Sequence, residues 1–195
     1  MDRKMLQILE LSLVAVSVIY MIFTFIAFDF TTTIAIGAVF PCAFALLLYF
    51  KAEKAAAIVT IVYAVLGLWD IVTLINIAIN WSAGFGFSYY LFQFARVAVT
   101  AALYLIIGIA LLKRIKHSRT MSVVIGIMGG AVILNALINA VKALIGGGMY
   151  AFRYGCIDLF VVAMDVLIVL IAIFSLSSKQ TSAMDSNDPV NFPER

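Results

Sequence analysis

The sequence predicts an all-α, polytopic membrane protein: a bundle of six transmembrane helices with both termini in the cytoplasm. Three observations carry that prediction. Of the 195 residues, 65% are hydrophobic and 12% are charged, and mean hydropathy is +1.15. Soluble domains carry about 25% charged residues, and no water-soluble core of this size hides so much apolar surface. Six apolar runs follow one another, each near the ~20 residues that a hydrocarbon core requires. Finally, ten of the 13 Lys and Arg residues fall in segments that alternate topology places on one side, the side that the positive-inside rule assigns to the cytoplasm.

Backbone polar groups in lipid must be satisfied internally, so spanning runs are helices or closed barrels. These runs are continuously apolar, without the alternation of barrel strands. They cover residues 6–28, 31–50, 55–79, 90–112, 121–145 and 157–176. The first carries Glu10, Ser17, Tyr20 and Thr24. It is longer than a signal h-region and lacks a small-residue cleavage site, so it reads as a retained helix. Glu10, near the cytoplasmic end, is expected to pair with Lys4 or a loop cation. The second run holds Pro41 at its middle, which removes a backbone donor and predicts a kink or hinge opposite the Gly37 carbonyl.

The third run places Asp70 near mid-membrane, beside Trp69, with Thr73, Asn76 and Asn80 further out. Residues 80–88 contain Trp81, Gly84 and Gly86 and read as a short loop at the headgroups. In the fourth run, Tyr89, Gln93, Arg96, Thr100 and Tyr104 fall within roughly 80° of arc at 100° per residue. The fifth run has two polar faces. Ser122, Gly126, Gly129 and Gly130 form one, with Gly126 and Gly130 as a G-x-x-x-G that invites a close neighbour. Asn135, Asn139 and Lys142 form the other, roughly 160° away. Residues 146–155 read as a glycine break followed by an aromatic surface segment. The sixth run places Asp158 and Asp165 on one stripe, and residues 177–195 read as a disordered cytoplasmic tail. Cys42 and Cys156 lie at different depths, so no disulfide is expected.

Sorted by depth, the polar residues concentrate in the middle and outer parts of the third to sixth runs. Arg96 lies about 9 Å below the surface and is costly there unless paired, with Asp70 or Asp165 as the expected partner. The predicted arrangement is one outward-facing polar cavity whose substrate- or ion-binding residues are Asp70, Gln93, Arg96, Asn135, Asn139, Lys142 and Asp165. Asp70 forms its floor, and aliphatic side chains close it towards the cytoplasm. With Asp158 at the outer rim, three carboxylates, two cations and several amides suit a small polar or zwitterionic solute, which predicts a small-solute transporter or a membrane-embedded substrate-binding subunit.

Six helices in about this length with an outward pocket make an architecture similar to the substrate-binding subunits of energy-coupling-factor vitamin transporters. That resemblance implies a partner subunit docked through small residues four apart on the first helix. Here Ala15 is followed four on by Ile19, so the docking feature is absent where expected. The alternative function is a non-catalytic accessory or scaffold protein whose buried charges fix helix packing. Catalysis is not expected. His117, the one histidine, lies in a cytoplasmic basic loop, which excludes an embedded Ser–His dyad and a His-ligated metal. Asp70 lacks the Gly-x-Gly-Asp context of membrane aspartyl proteases. No cofactor, metal or nucleic-acid partner is expected, and the bilayer, a solute, and a membrane partner subunit or second copy are. Gly37-Ala38-Val39 recurs as Gly130-Ala131-Val132, and Trp69-Asp70-Ile71 resembles Met164-Asp165-Val166. Those two echoes fit a 3+3 inverted repeat.

Overall fold

The computed structural model describes residues 3–28, 32–80, 87–113, 119–146 and 148–184. Within them, the side chains of residues 27–28, 32–36, 70, 73–74, 77–78, 80, 87–93, 150 and 177–184 lie outside the description. Every described element is helical: α1 (Arg3–Phe28), α2 (Thr32–Tyr49), α3 (Glu53–Asn80), α4 (Phe87–Leu112), α5 (Arg119–Ile145) and α6 (Met149–Met184). Four described stretches are long and apolar enough to cross a bilayer, namely Arg3–Ile26, Phe94–Leu112, Arg119–Ile145 and Ala151–Leu176. Gly37–Tyr49 of α2 is apolar but shorter. These apolar helices point to a membrane protein.

Each helix packs on its neighbours in sequence, and α6 closes back on α1. The result is a ring in which α4 and α6 also touch across the middle. Small residues set the close approaches. A Cβ on Gly108 of α4 would stand 2.6 Å from the Ile61 side chain and 3.1 Å from the Ala57 carbonyl of α3. On α5, a Cβ on Gly129 would meet Val169 of α6 at 2.5 Å, whereas Gly130 has nothing within 4 Å. The α5/α6 contact therefore runs through Gly129, with Gly126 near Ile173, rather than through both ends of the G-x-x-x-G. Gly129 is one residue before Gly130, about 100° round the helix, and that rotation takes Gly130 off the contact line.

The ends of the helices follow from local bonding. Lys51 adopts a left-handed φ of 60°. Its N–H bonds the Leu48 carbonyl at 2.9 Å and the Ala52 N–H bonds that of Leu47 at 2.7 Å, the paired pattern of a Schellman stop. Pro41 is buried inside α2, which runs unbroken as one helix from Thr32 to Tyr49. α6 extends past the expected sixth run at both ends. Gly148 adopts a φ of 98° just before α6, and the Phe152 N–H bonds its carbonyl at 3.1 Å. Gly155 then lets α6 lie against Leu144 of α5, where a Cβ would meet Leu144 Cγ at 2.7 Å. Residues 149–154 are thus the first turns of α6, and the same helix continues through Met184. Residues 185–195 of the expected tail, and the loop at 81–86, lie outside the described residues.

The tightly packed part of the bundle lies towards the end that bears Lys51, Lys54, Lys113 and Arg119. In α3 the buried residues are Ala56, Ala57, Thr60 and Ala64, and in α4 they are Ala101, Leu103, Tyr104, Ile107, Gly108, Ala110 and Leu111. Among described side chains, residues 65–80 of α3 and 87–100 of α4 contain none that is buried. Leu13, Phe44, Ile107, Leu111, Ile168 and Ile171 fill the packed end with fully buried side chains.

Candidate functional site

The α1 face turned inward is a heptad stripe of Glu10, Leu13, Ser17, Tyr20 and Thr24, all buried. The hydroxyls are satisfied locally, with Ser17 Oγ donating to the Leu13 carbonyl at 2.7 Å and Thr24 Oγ1 to that of Tyr20 at 2.9 Å. Ser17 Oγ also reaches Met164 Sδ of α6 at 3.6 Å. Tyr20 and Phe160 meet edge to face at 6.3 Å. Rising numbers on α1 thus face falling numbers on α6, so the two helices are antiparallel.

At the centre, Tyr104 of α4 donates its hydroxyl to Oδ1 of Asp165 of α6 at 3.0 Å. The Tyr104 ring is held by two edge-to-face contacts, with Phe40 of α2 at 5.2 Å and Tyr63 of α3 at 5.3 Å. Phe40 and Tyr63 stack on each other at 3.9 Å and 6°. Four helices therefore converge on one phenol–carboxylate pair. Edge-to-face packing directs the positive rim of one ring at the π face of another and fixes ring orientation, so the hydroxyl stays aimed at Asp165. Arg96, two turns from Tyr104 on α4, is close enough to act electrostatically on both Asp158 and Asp165.

These contacts sort the polar residues into two levels. Tyr104 faces Asp165 and Arg96 acts on Asp158, so numbers rise together on α4 and α6 and the helices are parallel. On α3, Tyr63 against Tyr104 and Ile61 against Gly108 set an antiparallel register, which brings the α3 backbone at Asp70 level with Arg96. One level therefore holds Tyr63, Tyr104 and Asp165. The other holds Arg96, Asp158 and the Asp70 position, about 10.5 Å further along (seven residues at ~1.5 Å).

Of the residues expected in the site, Asp165 is half-buried and Arg96 is exposed. Asn135 and Asn139 are half-buried on α5, and Lys142 is exposed in its last turn. The α5/α6 register, Leu144 against Gly155 and Gly129 against Val169, puts Asn135 near the level of Asp165 and Asn139 near that of Asp158. The backbones at Asp70 and Gln93 lie in α3 and α4, but both side chains fall outside the described residues. Phe40, Tyr63 and Tyr104 were missing from the expected set. Their signal was present in spacing: Tyr63 is seven before Asp70, and Tyr104 is eight after Arg96. Aromatic rings in an apolar run read as core, and here they are core and scaffold together.

Among the described residues, no group of three His, Cys, Asp or Glu side chains is placed to hold a metal ion. Cys42 and Cys156 are both free. No family model, curated protein or solved structure matches this chain. Its function is read from the chemistry of its own residues.

Proposed function

We propose that this chain is a six-span protein of the cell membrane with both termini in the cytoplasm, which transports or captures a small polar or zwitterionic solute. In this reading α2 and α3 also cross the bilayer, and the Lys-bearing end is cytoplasmic. The solute enters from outside into a cavity at the two polar levels, where Gln93, Arg96, Asn139 and Asp165 supply donors and acceptors. The chain binds and moves its ligand without a catalytic step, alone or with a membrane partner subunit or a second copy. One observation carries the reading: Tyr104 and Asp165 form a polar pair at the bundle centre, with Arg96 and Asp158 beyond it and a plug of fully buried Ile107, Leu111 and Ile168 behind it. Polar groups converging from several helices on one volume are what a small-ligand site requires, and they are costly in lipid without a use.

The second reading is a scaffold, and a specific contact favours it. Asp165 already accepts a hydrogen bond, and the Phe40–Tyr63 stack is tight. The two readings separate by accessibility. With Cys42 and Cys156 replaced by Ala, Asn135→Cys and Asn139→Cys should react from outside with a membrane-impermeant maleimide. Ala110→Cys, in the packed end, should not. If neither asparagine position reacts, the stripes are packed shut and the scaffold reading replaces transport.

A further inference from the structure

Glu10 has no part in the solute site, yet it is the most unusual buried group in the bundle. It is 3% exposed, and among the described residues no hydrogen bond is made to its carboxylate. Its surroundings follow from the register. α1 packs on α2 and α6, and Ser17 lies against Met164, so Glu10 sits two turns deeper, near Ile171 of α6. Phe44 and Leu48 of α2 are buried at that end. Among the described residues, Arg3 on its own helix is the charged group that acts on it. A carboxyl group in such a place is expensive unless it is used.

Its position fits a use. Asp158 and Asp165 are seven residues apart on α6, Ser17 is level with Asp165, and Glu10 is seven residues before Ser17 on α1. Three carboxyl groups thus stand at steps of about 10.5 Å along the bundle axis, with the Tyr104 and Ser17 hydroxyls at the middle step. Thr24, Ser17 and Glu10 recur every seventh residue on the inner face of α1, with Tyr20 and Leu13 between them, alongside the apolar plug of Ile107, Leu111 and Ile168.

We propose that this ladder carries protons through the bundle, entering at Asp158 and Asp165 and leaving through Glu10 at the Lys-bearing end. The proposal rests on the transport reading, whose Asp165 it shares, and it concerns a proton path that conducts with or without solute. At each station a carboxylate takes up one proton and later releases it, so no other reactant is consumed. Each step of ~10.5 Å is longer than one bridging water spans, so the proposal requires a short file of waters between stations. The plug stops a solute while the stripe passes a proton. Tyr104 of α4 bonds Asp165 and Arg96 of α4 acts on it electrostatically, while Ser17 of α1 and, by register, Asn135 of α5 lie at its level.

The test needs no knowledge of the solute. The full chain is reconstituted in phosphatidylcholine–phosphatidylglycerol vesicles containing pyranine, and a potassium gradient with valinomycin makes the lumen negative. Vesicles with the wild-type chain should acidify at least tenfold faster than protein-free vesicles. Asp165→Asn and Glu10→Gln should return the rate to the protein-free level, and Glu10→Asp should retain most of it. Acidification no faster than in protein-free vesicles overturns the proton ladder, and the solute site then stands or falls by its own cysteine accessibility. Wild-type rates in a monodisperse Glu10→Gln protein remove Glu10 from the path and sink the proposal. If Glu10→Gln does not fold, loss of flux in Glu10→Asp or unchanged flux in Asp165→Asn overturns it equally.

Discussion

The Tyr104–Asp165 bond is open to a double-mutant cycle. Tyr104→Phe removes one oxygen and leaves the ring contacts with Phe40 and Tyr63 in place. Asp165→Leu replaces the carboxylate with an apolar side chain of the same branching and heavy-atom count. A bond to a charged group contributes about 1.5–3 kcal/mol in soluble proteins, but interhelical bonds in membrane bundles average about 0.6 and reach about 1.7 kcal/mol. The distance of 3.0 Å is long for a hydroxyl on a carboxylate, where about 2.5–2.7 Å marks the strongest cases. Asp165 is also only half-buried, so water can replace the lost donor. Those two facts place the coupling near 1 kcal/mol, about fivefold in the folded-to-unfolded ratio. Unfolding free energies of the four proteins, measured by steric trapping in bicelles, yield the coupling directly. Additivity within about 0.5 kcal/mol is what non-interacting sites show, and that result would refute the bond as an energetic link between α4 and α6.

Gly129→Ala should destabilise the protein by about 1–3 kcal/mol, as overpacked interfaces do, because its Cβ would stand 2.5 Å from Val169. Gly130→Ala, one residue on and open, should leave the unfolding free energy within about 0.5 kcal/mol of wild type, and equal losses at both positions would contradict the α5/α6 contact line. Lys51→Gly should stabilise by about 1 kcal/mol, since a non-glycine residue in the left-handed region costs about 1–2 kcal/mol, readable as a raised unfolding midpoint. In a chain without its native cysteines, Gly84→Cys should react with an impermeant maleimide added outside and Lys116→Cys should not. The reverse pattern would invert the assigned orientation.

The helix count was legible because six apolar runs, each near the ~20 residues that a hydrocarbon core requires, are separated by charged or glycine-bearing segments, and each run became one helix. Helix boundaries were less legible. Where residues 146–155 looked like a loop, two of the four glycines carry different jobs: Gly148 turns the chain, while Gly155 admits Leu144. Both roles depend on which face meets a neighbour, and composition alone does not encode that. The same limit hid Gly108, whose use appears only when Ile61 is seen against it, and split the G-x-x-x-G of α5 between a packed and an open glycine. For the candidate site, ionisable residues in apolar runs were easy to find because each is individually costly. The aromatic residues that aim them were harder. Tyr63 and Phe40 carry no cost in a core, so nothing in the sequence separates an aromatic that fills space from one that orients a carboxylate's donor.

The closure of the ring has a consequence for biogenesis. The α3/α4 and α5/α6 hairpins join residues close in sequence, and such contacts form early and fast. The Ser17–Met164 contact joins residues 147 apart, and it can form only after nearly the whole chain has left the ribosome, at about 5–20 residues per second. For that interval, the inner face of α1, with Glu10, Ser17 and Thr24, waits without its α6 partner. A chain truncated at Gly148 retains the α3/α4 hairpin but displays that stripe permanently to its surroundings. α6 is therefore the helix that completes the cover over the polar groups of α1, so a chain interrupted before α6 differs from one that contains it at that one surface.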